Sequence, residues 1–202
     1  MKKILALILT AILCIGLSAC QKPAGYWGAE ITVKDYGIIR VRLDDEAAPI
    51  TVNNFKSLAE NKFYDGLTFH RIIEGFMVQG GDPNGDGTGG SQKNIKGEFA
   101  ANNIKNDISH VRGVISMARQ GENPYTGEKN YDTANSQFFI VQQDSPFLDG
   151  QYAAFGYVIS GMDVIDKICK DANPIDNNGT IIKEKQPVIE SVRIAWIPET
   201  VE

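Results

Sequence analysis

Residues 69–82 read Phe-His-Arg-Ile-Ile-Glu-Gly-Phe-Met-Val-Gln-Gly-Gly-Asp, two short apolar runs separated at Gly75. With the period of two that a strand imposes, Phe69, Arg71 and Ile73 share one face, and His70 and Ile72 the other. A guanidinium that cannot deprotonate is then set among apolar groups. Burying it is costly unless it is paired or used. Taken alone, Arg71 also fits an edge position, with its stem on apolar surface and its head in water. Gly75 permits a bend, and Gly80-Gly81-Asp82 closes the second run with turn residues, so the stretch reads as two strands.

The rest of the chain continues a β-rich pattern. Ala29–Lys34 and Gly37–Leu43 alternate apolar and polar about a short polar connection, as a hairpin does. Val52, Phe55, Leu58 and Ala59 recur at helical spacing behind Pro49, and Met162, Ile165, Ile168 and Cys169 mark a second short helix. Residues 111–118, 137–142, 153–159 and 188–197 read as strands. Many short strands with two helices suggest an all-β barrel or sandwich. Between these elements, Asp82-Pro83-Asn84-Gly85-Asp86-Gly87 imitates the start of a calcium-binding loop. Lys93 stands where that loop needs a bidentate glutamate, so no metal is expected.

Further along come Gly87-Thr88-Gly89-Gly90, Ile115-Ser116-Met117-Ala118, Asn135-Ser136-Gln137-Phe138-Phe139-Ile140, and Phe147-Leu148-Asp149-Gly150 ahead of Phe155-Gly156. With the opening stretch, and in this order, they closely resemble the cyclophilin-type peptidyl-prolyl cis–trans isomerases. The resemblance spans roughly Ala29 to Ile197. It implies a mainly β fold, a closed eight-stranded antiparallel β-barrel capped by two α-helices. It also implies Arg71 as the catalytic residue and Gln79 as the glutamine that orients or supplements it. Phe76, Met77, Phe139 and Leu148 would form the proline pocket, while Phe69, His70, Ala118, Gln137 and Phe147 match groove positions. Read from the strand pattern alone, His70 is a satisfied structural histidine rather than a base.

This chain departs from the family pattern at three positions. Phe147 stands where much of the family has tryptophan, Tyr152 where many members have histidine, and Arg119 where asparagine is common. Arg119 and Tyr152 stay among the substrate-binding candidates. None of the three replaces Arg71, Phe76, Gln79 or Phe139. Activity is therefore expected intact, while substrate preference and inhibitor binding are put in question. Residues 119–135 form a polar stretch longer than the equivalent family loop.

Isomerisation asks little of a protein. An X-Pro bond rotates unaided in tens to hundreds of seconds, about 10⁻² s⁻¹. Reaching a turnover of about 10 s⁻¹ takes about 4 kcal/mol. One preorganised donor in a dry site contributes about 2.7–4 kcal/mol. No nucleophile or cofactor is required. The composition agrees: there are two histidines, no hydrolase or dinucleotide fingerprint, and no paired-carboxylate signature. The alternative is a proline-binding chaperone module with little catalysis.

The amino terminus has a separate character. Met1-Lys2-Lys3 is basic, Ile4 to Leu17 is almost wholly apolar, and Leu17-Ser18-Ala19-Cys20 ends in small residues before a cysteine. The run is short for a bilayer span, which needs about 20 residues. It resembles a bacterial lipobox, so residues 1–19 are expected as signal peptide, 20–28 as a lipidated tether and 29–202 as the isomerase domain. An acyl lipid such as palmitate on Cys20 would hold an exported domain to the outer face of the cytoplasmic membrane or to the outer membrane. Of the three cysteines, Cys14 leaves with the signal, Cys20 takes lipid, and Cys169 is left as a buried apolar group with no disulfide partner. Without Lys2 and Lys3 the 20 basic residues fall to 18, against 25 acidic, a net charge of −7. That balance argues against nucleic acid as a partner. Proline-containing unfolded or exported polypeptides, met by a monomer, are the expected clients.

Overall fold

The computed structural model describes residues 24–199. The expected signal segment and the lipid site at Cys20 lie outside the described residues. Eight strands and two helices follow one another as β1 (Gly25–Val33), β2 (Gly37–Leu43), α1 (Pro49–Glu60), β3 (Thr68–Ile73), β4 (Met77–Asp82), β5 (Val114–Met117), β6 (Phe138–Val141), β7 (Ala154–Ser160), α2 (Met162–Asp171) and β8 (Ile189–Pro198). The strand order is β3-β4-β6-β5-β7-β2-β1-β8, and every ladder is antiparallel. β1 opens at Gly25, so residues 25–28, expected as tether, instead pair with β2 and β8.

The barrel is open rather than closed. Among the described residues no ladder joins the end strands β3 and β8; the bridge Thr68↔Val188, with Phe69 N–H donating to Pro187 O at 2.9 Å and Ile189 N–H to Leu67 O at 2.8 Å, brings them together. Pro187, immediately ahead of that bridge, has no N–H to extend the pairing.

A bulge at His70 decides which side Arg71 faces. Phe69 pairs with Gly80 and Arg71 with Gln79, so two steps on β3 match one on β4. The alternation resets there. Phe69 and Ile72 enter the main core at 0% and 1% exposure, while Arg71 and Ile73 turn outward. The shared face expected for Phe69 and Arg71 is therefore wrong, because the period of two fails at the extra residue. Gly80 is required opposite: a Cβ there would lie 2.9 Å from the Phe69 ring and 2.7 Å from Thr68 O.

Phe55 of α1 plugs the barrel, its ring centroid 5.1 Å from Tyr64, 5.2 Å from Phe155 and 5.5 Å from Phe138. Ala48 offers α1 no side-chain cap. Buried Glu98 substitutes, accepting Ile50 N–H at 3.0 Å and Thr51 N–H and O–H at 2.7 Å each. A carboxylate there satisfies orphan donors and suits the positive end of the helix. α2 buries Val164, Ile165, Ile168 and Cys169; the last three belong to the apolar stripe expected from the sequence, whose first member, Met162, is partly buried. Burial pushes the Cys169 thiol up to about 12, so it stays a thiol.

A second apolar cluster lies outside the barrel wall. It gathers Met77, Phe139, Val141, Leu148, Val114 and Ala154, flanked by Ile73, Phe76, Ala118 and Tyr152.

Candidate active site

Arg71 stands half-buried beside this second cluster. Its Nη1 donates to Gln79 Oε1 at 3.1 Å and lies 3.8 Å from Met77 Sδ, and its Nε donates to the Asn178 carbonyl at 2.7 Å. No carboxylate pairs with it within 4.0 Å among the described residues. Burial lowers its pKa from the ordinary value, with Tyr152 and Asp176 acting in the opposite sense. It remains a cation with neutral hydrogen-bond partners.

The partners are ordered by a relay. Gln137 Nε2 donates to Gly87 O at 3.0 Å and Gly89 O at 2.8 Å, which turns its Oε1 toward Gln79. Gln79 Nε2 donates to that oxygen at 2.9 Å. Only the Gln79 oxygen is then left for Arg71, and the amide orientation is fixed from the loop inward.

The apolar floor is built from β4, β6 and the 146–148 turn. Phe139 is 4% and Leu148 7% exposed, and Met77 is 1% exposed. Phe76 and Phe147 lie 5.4 Å apart, and Tyr152 meets Phe139 edge-on at 5.9 Å. Phe147 is 68% exposed, a large ring on the rim. Arg119 is held at the other end by aromatic faces, 4.7 Å from the Tyr152 centroid and 5.3 Å from Tyr131. Its Nε donates to Gln151 O at 3.0 Å. Ala118 N–H donates to Gln137 O at 2.9 Å, tying this rim to the relay. A cavity of about 330 Å³ adjoins it, lined by Gln79, Gly89, Ala118, Arg119 and Gln137 among others.

Two expected groove residues are buried. Phe69 is sealed in the main core, because the bulge carries it inward. His70 is 3% exposed, and neither ring nitrogen has a hydrogen bond among the described residues. The expectation of a satisfied histidine is therefore also corrected. Desolvation lowers its pKa, with Asp82 opposing, so it is kept neutral.

Sequence reasoning missed the support beneath Phe139. His110 lies parallel to it at 6.1 Å, with Nδ1 2.9 Å from Asp149 Oδ1 and Nε2 3.0 Å from Ser116 Oγ. Burial lowers the His110 pKa against the raising effect of Asp149. The neutral ring therefore donates from Nδ1 and accepts from Ser116. The order Asp–His–Ser is that of a nucleophile relay. Ser116 is 0% exposed, however, so the chain braces β5 and the 146–149 turn and reaches no substrate. The Asp149 position was visible only as part of the Phe-Leu-Asp-Gly motif, with no sign of its partner 39 residues earlier.

Comparison with known proteins shows the family. Residues 29–195 match the family model described as cyclophilin type peptidyl-prolyl cis-trans isomerase/CLD. Peptidyl-prolyl cis-trans isomerase B of Bacillus subtilis is 42% identical over 152 residues, 75% of this chain and 92% of that protein. Peptidyl-prolyl cis-trans isomerase A of Dickeya dadantii is 37% identical over 96% of this chain and 97% of its own. A crystal structure of a Cryptosporidium parvum cyclophilin type isomerase superposes with a TM-score of 0.71 at 29% identity, covering 86% of this chain and 99% of that one. The chain belongs to the cyclophilin-type peptidyl-prolyl cis–trans isomerase family. It is an isomerase of X-Pro peptide bonds.

Proposed function

We propose that the chain accelerates X-Pro rotation by electrostatics alone, with Arg71 as the catalytic residue and Gln79 as its orienting partner. The observation that carries this reading is a half-buried guanidinium with only neutral partners beside an apolar floor. As the C–N bond twists, amide resonance is lost and electron density returns to the prolyl nitrogen. A cation aimed at that nitrogen stabilises the twisted state more than the planar one, which is differential binding. Phe76, Met77, Phe139 and Leu148 take the proline ring, and exclusion of water there strengthens the interaction. Phe147, Ala118, Arg119, Gln137 and Tyr152 border the chain on either side of the proline. A related Cryptosporidium parvum isomerase was solved in the presence of the dipeptide Ala-Pro, which supports a proline-containing ligand for this fold. Substitution of Arg71 with measurement of peptide isomerisation tests the reading.

The clients are exported polypeptides, and the enzyme meets them as a monomer anchored through lipid on Cys20 outside the cytoplasmic membrane. The basic start, apolar run and small residues before Cys20 support this. So does the position of β1: it begins at Gly25, so only a few residues separate the folded domain from the anchor. Fractionation of cells carrying Cys20→Ser tests it.

A further inference from the structure

The segment after α2 reads Asn173-Pro174-Ile175-Asp176-Asn177-Asn178-Gly179-Thr180, a polar turn with no catalytic signature. An aspartate two and four residues ahead of backbone N–H groups closes such a turn on itself. Asp176 Oδ1 accepts Asn178 N–H at 2.9 Å and Thr180 N–H at 3.0 Å, and Ile175 N–H donates to Thr180 O at 2.9 Å. The turn is then fastened to β3 on either side of Arg71: Ile72 N–H donates to Gly179 O at 2.8 Å, and Ile181 N–H to His70 O at 3.0 Å. Gly179 allows the approach. Its φ is +82°, and a Cβ there would lie 2.5 Å from Ile72 O.

What this turn offers Arg71 is the Asn178 carbonyl. A guanidinium held only through Nη1 by Gln79 is free to swing about that contact. A second anchor, Nε to Asn178 O at 2.7 Å, fixes its plane. Nη2 makes no hydrogen bond among the described residues, so its two donors are left unused by the protein. We propose that the 175–181 turn, closed by Asp176, positions Arg71 for isomerisation, with Asp176 a positioning residue that never touches substrate. This rests on the reading of Arg71 as the catalytic residue. Asp176 is exposed and its hydrogen bonds lie within its own turn, so removing it loosens the turn and leaves the core alone.

The test compares Asp176→Ala, Asp176→Asn and Arg71→Ala in the full-length chain, each checked for folding by thermal melting. The readouts are kcat and KM on an X-Pro peptide, and solvent exchange of the Arg71 Nε–H proton by NMR. Misplacement of a reacting group by about 1 Å costs up to about 100-fold, so Asp176→Ala should lower kcat about tenfold with little change in KM. Its Nε–H proton should exchange faster. Asp176→Asn keeps an oxygen that accepts the same two N–H groups and should restore both readouts. Wild-type kcat in Asp176→Ala, slowed turnover with unchanged Nε–H exchange, or an asparagine form no better than the alanine form would each overturn the positioning role. If those occur while Arg71→Ala is inactive, the reading of Arg71 stands and only the turn's role falls. Full activity in folded Arg71→Ala would overturn both.

Discussion

Arg71 Nη1 donates to Gln79 Oε1 at 3.1 Å, and that oxygen is available because the Gln79 amide nitrogen is already engaged by Gln137 at 2.9 Å. Residues from β3, β4 and the position just ahead of β6, joined to the glycine loop through Gly87 and Gly89, therefore act as one unit.

A unit of this kind loses activity non-additively. Gln79→Ala should lower kcat/KM severalfold, and Gln137→Ala by a similar factor, because Gln79 can then flip its amide. The double variant should be no worse than Gln79→Ala alone. Steady-state kinetics on the three forms decide it; multiplicative losses would mean that the glutamines act separately.

Both histidines are buried with pKa values lowered by desolvation. A base whose folded pKa lies below its unfolded value of about 6.5 binds its proton more readily in the unfolded chain. The folded state therefore has its full share of stability above about pH 6.5 and loses it as pH falls toward the lowered folded values. Melting temperature should begin to drop between pH 7 and 6, above the range where carboxylates titrate. Replacing His110 with Gln should flatten that part of the profile. A flat wild-type profile down to pH 5 would contradict the account.

Much of this was readable in the sequence, for definite reasons. The helices at 49–60 and 162–171 carry clean apolar stripes, and β2, β7 and β8 lie within a residue or so of the expected strands. The motif around Arg71, Gln79, Met77 and Phe139 brought its residues together because neighbouring strands β4 and β6 put them in register, Gln79 opposite Phe139. The failures have two sources. The shared face of Phe69 and Arg71 came from an ideal period of two, which the bulge at His70 breaks; the closed barrel and the groove positions of Phe69 and His70 came from the family resemblance, and here the seam is limited by Pro187 and both side chains are buried. Asn178 and the His110–Asp149 brace depend on contacts 107 and 39 residues apart in the chain, which no local pattern encodes.

Phe147 tests the departure from the family pattern most simply. The resemblance implies that cyclosporin binds in the groove, with the usual tryptophan donating its indole N–H. Phe147 has the exposure to face a ligand but no donor. An unmatched carbonyl of the drug costs about 1–3 kcal/mol, or about fivefold to 150-fold in affinity. The natural chain should be active yet weakly inhibited, and Phe147→Trp more tightly inhibited. Equal potency in an inhibition titration would show that position 147 does not meet the drug.

Cys20→Ser should release an active domain into the soluble fraction. Membrane fractionation followed by the isomerisation assay checks both halves of that statement. Retention after a salt wash would mean either that the apolar Ile4–Leu17 segment stays on as the anchor or that the lipobox reading is wrong.

The central claim is that one oriented guanidinium supplies most of the rate acceleration. Arg71 is half-buried on a strand that Phe69 and Ile72 hold from the other side, so Arg71→Ala should keep its melting transition. Loss of a single preorganised donor costs about 10²–10³ in rate. Isomerisation of an X-Pro peptide, measured beside thermal unfolding of the same sample, is the direct measurement. The account predicts a folded protein slowed by about that factor; a folded Arg71→Ala variant turning over at the natural rate would contradict it.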